Sequence, residues 1–374
     1  MATRGIPPFR ADHVGSLLRP PELLAAREAR AAGRLSEEEL RAAEDAAITK
    51  VVAMQEDVGL KSATDGEFRR TSWHMDFIYQ LGGIHQSAGT IPISFRNEDE
   101  KIEFTPAAIA VTEPVHLAQP IFDDAFTFLA NTVRSATPKL TIPSPSMVHY
   151  RGGRASIDTG VYPELEAFWA DLVAAYRAEV AALGALGCRY LQFDDTSLAY
   201  LNDPVQREYI ASQGGDPLHQ HETYISHLNE VIAGRPEDMA ITTHLCRGNF
   251  RSSWAAEGGY DFVAEVLFNE LAVDGFFLEY DDERSGSFEP LRFVPKDKTV
   301  VLGLVTTKRG ALEDKETVRA RVLEAARYVP LEQLCLSPQC GFSSTIEGNV
   351  LTYDEEMAKL SLIVELAEEI WDGD

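Results

Sequence analysis

Residues 163–195, PELEAFWADLVAAYRAEVAALGALGCRYLQFDD, carry the unit from which the fold is read. Pro163 opens a long helix, where a proline's missing N–H costs nothing. A short β-rich run, YLQFDD, follows and ends in two acids. Ser36 and Glu39 form a second helix start, a capping box before AAEDAAITKVVAMQEDVGL. Further helices are expected near Lys315–Tyr328 and Asp354–Trp371, both with apolar residues at three-to-four spacing. Between helices lie eight β-rich runs. The first two end at Asp12-His13-Val14-Gly15-Ser16 and Asp65-Gly66-Glu67. Then come KLTIPSPS, YLQFDD, AITTHLC, FFLEY, VVLGLV and QLCLSPQC. Strand–helix alternation implies a parallel sheet, and eight repeats imply an α/β fold of the (β/α)8 TIM-barrel type. A doubly wound sheet is disfavoured, because no glycine-rich nucleotide fingerprint follows an early strand.

Residues 82–124 do not fit a repeat. They contain IPISF and IEFTPAAIAV and are expected to be a strand-rich insertion after the second βα unit of a single domain, 1–374. That length exceeds the usual size of one core, so two domains or one large barrel are the choices. Apolar residues at 45% and charged residues at 25% exclude a disordered or collagen-like chain. The net charge of −25 makes nucleic acid and anionic membranes poor partners. No apolar run reaches the roughly 20 residues that span a bilayer, and MATRGIPPFRADHVGS is not a signal-peptide pattern. Four cysteines in 374 residues are too sparse for a disulfide scaffold. The expectation is a cytoplasmic protein whose thiols stay reduced. Nothing in the sequence reads out an oligomeric state.

Chemistry concentrates at strand ends. Glu67, Asp194, His244, Cys246, Glu279 and Cys340 each fall at or near the C-terminal end of an expected strand, where barrel active sites are built. His244 and Cys246 form H-x-C, and residues i and i+2 of a strand share a side. Cys340, in SPQCG, adds a second sulfur, and Glu279 adds a carboxylate. Nitrogen, sulfur and oxygen donors together suit Zn²⁺. Ligands drawn from several strands point to an ion in a barrel mouth rather than to a small structural knuckle. Two thiolates make such an ion a poor acid for hydrolysis and a good holder of an incoming thiol as thiolate. Cys188 and Cys335 read as core thiols. Asp194-Asp195 and Asp65-x-Glu67 are either turn chemistry or a grip on a substrate ammonium group. His219 and His221 read as surface residues, and Asp281–Arg284 as a loop.

DHVGS, TDGEFRR, PSPSMVHYRGG, YLQFDD, THLCRGN, FFLEYDDERSG and LSPQCGF, in that order, resemble the catalytic half of cobalamin-independent methionine synthase. The chain is most similar to the short single-barrel members of that family, and the likeness covers nearly its whole length. The resemblance implies a zinc-containing (β/α)8 barrel that transfers a methyl group to homocysteine, with His244, Cys246, Glu279 and Cys340 as metal ligands. It implies that Val14 and Ser16 hold the amino-acid substrate, and that Glu67 and Asp194 bind its amino group. Tyr150 falls where the family has a tryptophan that stacks on folate. Two features depart from the pattern. The family's general-acid histidine is absent, and Lys308, in VTTKRG, is the nearest match; Asp194 and Lys308 are therefore the candidate catalytic groups. The family's I-D-E-P is D-D-T-S here, residues 194–197.

The leading expectation is a zinc-dependent thiol alkyltransferase, akin to 5-methyltetrahydropteroyltriglutamate–homocysteine S-methyltransferase. Its partners are a small thiol and an alkyl donor that the sequence does not name. Alternatives are thiol alkylation of the epoxyalkane:coenzyme M transferase kind, a non-catalytic zinc-binding barrel, and a metal-dependent hydrolase.

Overall fold

A computed structural model describes residues 5–88, 93–97, 101–104 and 108–371. Twelve strands occur among them: β1 Ser62–Ala63, β2 Gly82–Ser87, β3 Ile93–Arg96, β4 Lys101–Phe104, β5 Ala108–His116, β6 Thr137–Pro138, β7 Leu140–Pro143, β8 Tyr190–Asp195, β9 Ala240–Leu245, β10 Gly275–Glu279, β11 Thr299–Val305 and β12 Leu334–Pro338. β7 to β12 form one parallel sheet in sequence order. All its residues are buried except Ala240, which is half-buried at the start of β9. Burial on both faces explains why these runs are almost continuously apolar instead of alternating.

The other two expected barrel strands are short. β1 pairs in parallel with β6, and the Lys139 N–H bonds the Ala63 carbonyl where β6 runs into β7. The first run contributes one parallel bridge, Ala11 with Leu336 of β12. No ladder joins the first run to β1 among the described residues. What connects them is a backbone bond from Leu17 to Gly66 and hydroxyl bonds from Ser62 to Asp12 and from Thr64 to the Gly15 carbonyl. The fold is thus α/β with a parallel sheet, and complete barrel closure is not carried by backbone pairing alone.

Helices separate most strands. Leu165–Ala185 precedes β8, Gln220–Ile232 precedes β9, Ala264–Glu270 precedes β10 and Lys315–Ala325 precedes β12. The alternation fails between β10 and β11, where only 3-10 turns at Glu283–Ser285 and Glu289–Phe293 occur. The Ser36–Glu39 capping box is present and opens Glu37–Asp57. Its buried Ile48, Val51 and Val52 join a core cluster with Leu360 of the last helix, Tyr353–Trp371. A larger cluster fills the space between the remaining helices and the sheet.

The stretch after β1 is rich in strands, as expected. β2 and β5 pair antiparallel, as do β3 and β4. Residues 91–92 of IPISF and 105–107 of IEFTPAAIAV lie outside the described residues, as do 1–4 at the start of the chain. At the far end of the stretch, Asp123 and Asp124 already belong to a helix, Asp123–Thr132. β3 is docked on the loop that follows β9. Arg96 and Trp254 exchange both backbone hydrogen bonds, and the Phe95 and Phe250 rings lie 5.3 Å apart.

Candidate metal centre and thiol pocket

His244 is the penultimate residue of β9 and lies in register with Asp194 of β8 and Phe277 of β10. Two residues on, the Cys246 N–H still bonds the Asp195 carbonyl, so the pair keeps strand geometry and both side chains face one way. Glu279 is the last residue of β10. Cys340 follows β12 on a loop packed against the VGS segment. A methyl group built on Gly341 would meet Ser16 Oγ at 1.9 Å, so only glycine lets the two loops approach this closely.

One donor atom from each of His244, Cys246, Glu279 and Cys340 lies within 4.8 Å of every other, and all four residues are buried. Cys246 and Cys340 are free thiols with sulfurs 3.4 Å apart. Two thiolates on a tetrahedral zinc would sit about 3.8 Å apart, given Zn–S of about 2.3 Å. Both His244 ring nitrogens and Glu279 Oε2 are buried without a hydrogen-bond partner. Buried polar atoms are nearly always satisfied, so an unpartnered imidazole nitrogen and carboxylate oxygen beside two thiols fit the coordination of a cation. The donor set fits zinc. The contact between the two thiols raises Cys246, with burial adding to the rise, and the same contact together with His244 holds Cys340 well below its usual range.

A cavity of about 430 Å³ opens over this cluster. Val14, Ser16, Glu67 and Asp194 all line it. Glu67 sits on the turn after β1 at φ 59°, a conformation most residues avoid, and its N–H bonds Asp65. Glu67 Oε1 accepts from Thr141 at 2.7 Å and lies 3.4 Å from Arg70. Its Oε2 has no partner. Burial raises the Glu67 carboxyl above its ordinary value, and burial lifts Asp194 to about 7. An ammonium group placed between them would stabilise both ionised forms.

The other expected residues lie elsewhere. Lys308 is buried, pairs with Asp281 at 3.2 Å and does not line the cavity. Asp281 is therefore more than loop: buried, it also accepts from Thr306 and is held below the usual carboxylate range despite burial, chiefly by Lys308. Tyr150 is buried with its hydroxyl on Gln206 and its ring edge-on to Tyr200, at a second cavity on the far side of that wall. His219 is exposed as expected. His221 is not; it is buried against Phe262, because Gln220 begins a helix and turns the next residue inward. Cys188 and Cys335 are core thiols, and burial pushes Cys188 up to about 12.

Several supports escaped the sequence reading. Arg247 donates its backbone N–H to Glu279 Oε1 at 2.9 Å and its guanidinium to the Glu279 carbonyl and the Tyr260 hydroxyl. Arg19 bonds the Glu67 and Arg70 carbonyls and also Ser343 and Thr345 near Cys340. One guanidinium thus ties the Glu67 turn to the Cys340 loop. Adjacency to H-x-C could have flagged Arg247; no local pattern flags Arg19.

The family model for the cobalamin-independent synthase catalytic domain matches residues 9–369. The chain belongs to that family. It is 47% identical over 366 residues to the uncharacterized protein YxjH of Bacillus subtilis (strain 168), covering 97% of this chain and 95% of that one. It is 25% identical over 340 residues to a methionine synthase of Saccharolobus solfataricus, covering 88% and 86%. A crystal structure from Listeria monocytogenes, assigned as a vitamin-B12-independent methionine synthase, is 39% identical. It superposes with a TM-score of 0.78 over 98% of this chain and 99% of that one. No helix among the described residues is long and apolar enough to cross a membrane.

Proposed function

We propose that this family member is a zinc-dependent thiol methyltransferase that converts homocysteine to methionine. The observation that carries the reading is the convergence of His244, Cys246, Glu279 and Cys340, three of which line a cavity, with two buried carboxylates, Glu67 and Asp194, on the same lining and Glu67 Oε2 unpartnered. Zinc held by those four residues would keep a bound thiol deprotonated and nucleophilic at neutral pH. Glu67 and Asp194 bind the ammonium group of homocysteine. Val14 and Ser16 line the same wall and orient its amino-acid end. Holding the sulfur by one end and the ammonium by the other fixes the direction of attack, which is the larger part of such catalysis. Lys308 balances the charge of Asp281 and Glu279 from behind the floor, and Tyr150 backs the wall through Tyr200.

In this reading the chain is one (β/α)8 barrel, 1–374, with an insertion at about 82–124. The Ser62–Asp12 and Thr64–Gly15 bonds between its first two strand segments support that reading. The protein works in the cytoplasm on small molecules, without nucleic acid or membrane. Coenzyme M chemistry fits less well, because Glu67 and Asp194 would repel a sulfonate. The test is X-ray absorption at the zinc edge with and without homocysteine. A new sulfur neighbour supports the reading. An unchanged shell of four protein ligands favours a storage or regulatory barrel, and water alone favours hydrolysis.

A further inference from the structure

The methyl donor is the open half of this reaction, and the cavity restricts it in three ways. The first restriction is size. The β3 hairpin places Ile93 and Phe95 on the cavity wall, and the Arg96–Trp254 bridge fixes it there. Homocysteine and the reacting end of the donor share this cavity of about 430 Å³. The second is the supply of protons. Lys308 is turned away to Asp281. His74 lines the cavity, but burial pulls it down to about 3 and Ser72 occupies its Nδ1. Asp76 accepts the Thr71 and Ser72 backbone N–H groups, and Glu347 is exposed at the rim. Tyr79 and Tyr200 also line it, but burial raises both phenols above their ordinary range, which makes them weaker acids still, and Glu67 and Asp194 are engaged by the ammonium group. A donor whose leaving group needs a proton finds no acid here.

The third restriction is the chemistry of the wall. Trp73, Tyr79, Phe95 and Phe250 line the cavity. Aromatic faces of this kind attract methylated onium groups, which carry positive charge without hydrogen-bond donors. Beside them stands one guanidinium, Arg151, which lines the cavity 5.7 Å from the Tyr200 ring centre and 5.9 Å from that of Tyr150. No carboxylate pairs with it among the described residues. A half-buried arginine held by tyrosines on a cavity wall, with no carboxylate to neutralise it, is a site for an acid group.

We infer that the donor is a small zwitterionic methyl-onium compound, a methylated sulfonium or ammonium whose acid group is bound by Arg151. The inference rests on the homocysteine reading above and names its second substrate. The step balances without an added acid. The homocysteine thiolate forms a bond to the methyl carbon while the carbon–onium bond breaks. The bonding pair departs with a neutral thioether or amine, and the thiol proton has already gone to solvent.

The test uses the zinc-loaded full chain with homocysteine and four donors: dimethylsulfoniopropionate, glycine betaine, dimethylpropylsulfonium and methyltetrahydrofolate triglutamate. Methionine should form from at least one of the two carboxylate-bearing onium donors, and which of them reacts identifies the leaving atom. Its kcat/KM should exceed that of dimethylpropylsulfonium and of the folate by at least tenfold. Arg151→Met should erase the advantage over the uncharged-tail donor, and Arg151→Lys should restore part of it. Calorimetric binding of the preferred donor should weaken tenfold or more in Arg151→Met, while the homocysteine-induced sulfur shell on zinc stays intact and certifies the fold. Equal rates with and without the carboxylate, or faster transfer from the folate, overturns the inference. A sulfur shell that forms on homocysteine with no onium transfer also overturns it, and leaves the parent reading standing. No sulfur shell and no methionine from any donor defeats the parent reading itself.

Discussion

Single residues decide whether the metal cluster is real. Cys246 and Cys340 lie 3.4 Å apart in the cluster, whereas Cys188 and Cys335 are packed in the core. Cys246→Ser and Cys340→Ser should each lose most bound zinc, and Cys188→Ser and Cys335→Ser should keep it; elemental analysis of purified protein reads this, and equal metal in all four would remove the assignment. Glu67→Gln keeps the Thr141 contact and removes the charge. It should weaken homocysteine binding about tenfold or more, with zinc content unchanged, since a charge-assisted hydrogen bond contributes about 1.5–3 kcal/mol. A titration in which mercaptoethanol binds as tightly as homocysteine would argue that no ammonium site exists. H-x-C was legible because strand alternation is a strict rule, and the late cysteine because Pro and Gly flank it. Arg19 and Arg151 were not, because an arginine's reach spans loops that only the folded chain brings together.

The elements show the same division. The β-rich runs were legible from apolar continuity, and the first two are weak because β1 has two residues and the first run a single bridge. The missing helix between β10 and β11 was not legible, since 3-10 turns have no strong period. The last helix carries a consequence for pH. Glu356 is fully buried there, accepts the Leu18 N–H two residues beyond Ser16, and leaves Oε2 without a partner. Burial raises its carboxyl from 4.5 to about 8. Between those values the folded state holds a proton that the unfolded state has lost. Its contribution to stability is therefore complete below the unfolded value and falls as pH rises toward and past 8. The slope is at most about 1.4 kcal/mol per pH unit. Glu356→Gln keeps the acceptor and cannot ionise. Relative to wild type it should gain stability at pH 8.5 and little at pH 4.5; denaturant midpoints that differ by the same amount at both would show that Glu356 does not titrate this way.

At the scale of the whole molecule, the proposed metal ligands come from the C-terminal parts of β9 and β10, the residue after β9, and the loop after β12, and that loop is fastened to the first run through Ser16 and Arg19. An ion bound there cross-links both ends of the chain. It also gives one His244 ring nitrogen and Glu279 Oε2 a partner. Because the unfolded chain scatters these donors over 97 positions, 244 to 340, it has little affinity of its own. Ligand linkage then makes zinc a stabiliser of the entire fold, by about 4 kcal/mol at a thousandfold excess over Kd. A chain of 374 residues has a large unfolding entropy, so the gain appears as a melting shift of about 5 °C. Removing zinc with a chelator should lower Tm by that order, and adding it back should restore Tm. In Cys340→Ser both responses should vanish, while Cys335→Ser should keep them. A wild-type Tm indifferent to zinc would mean that the four residues do not bind the ion tightly enough for it to hold the sheet's ends together.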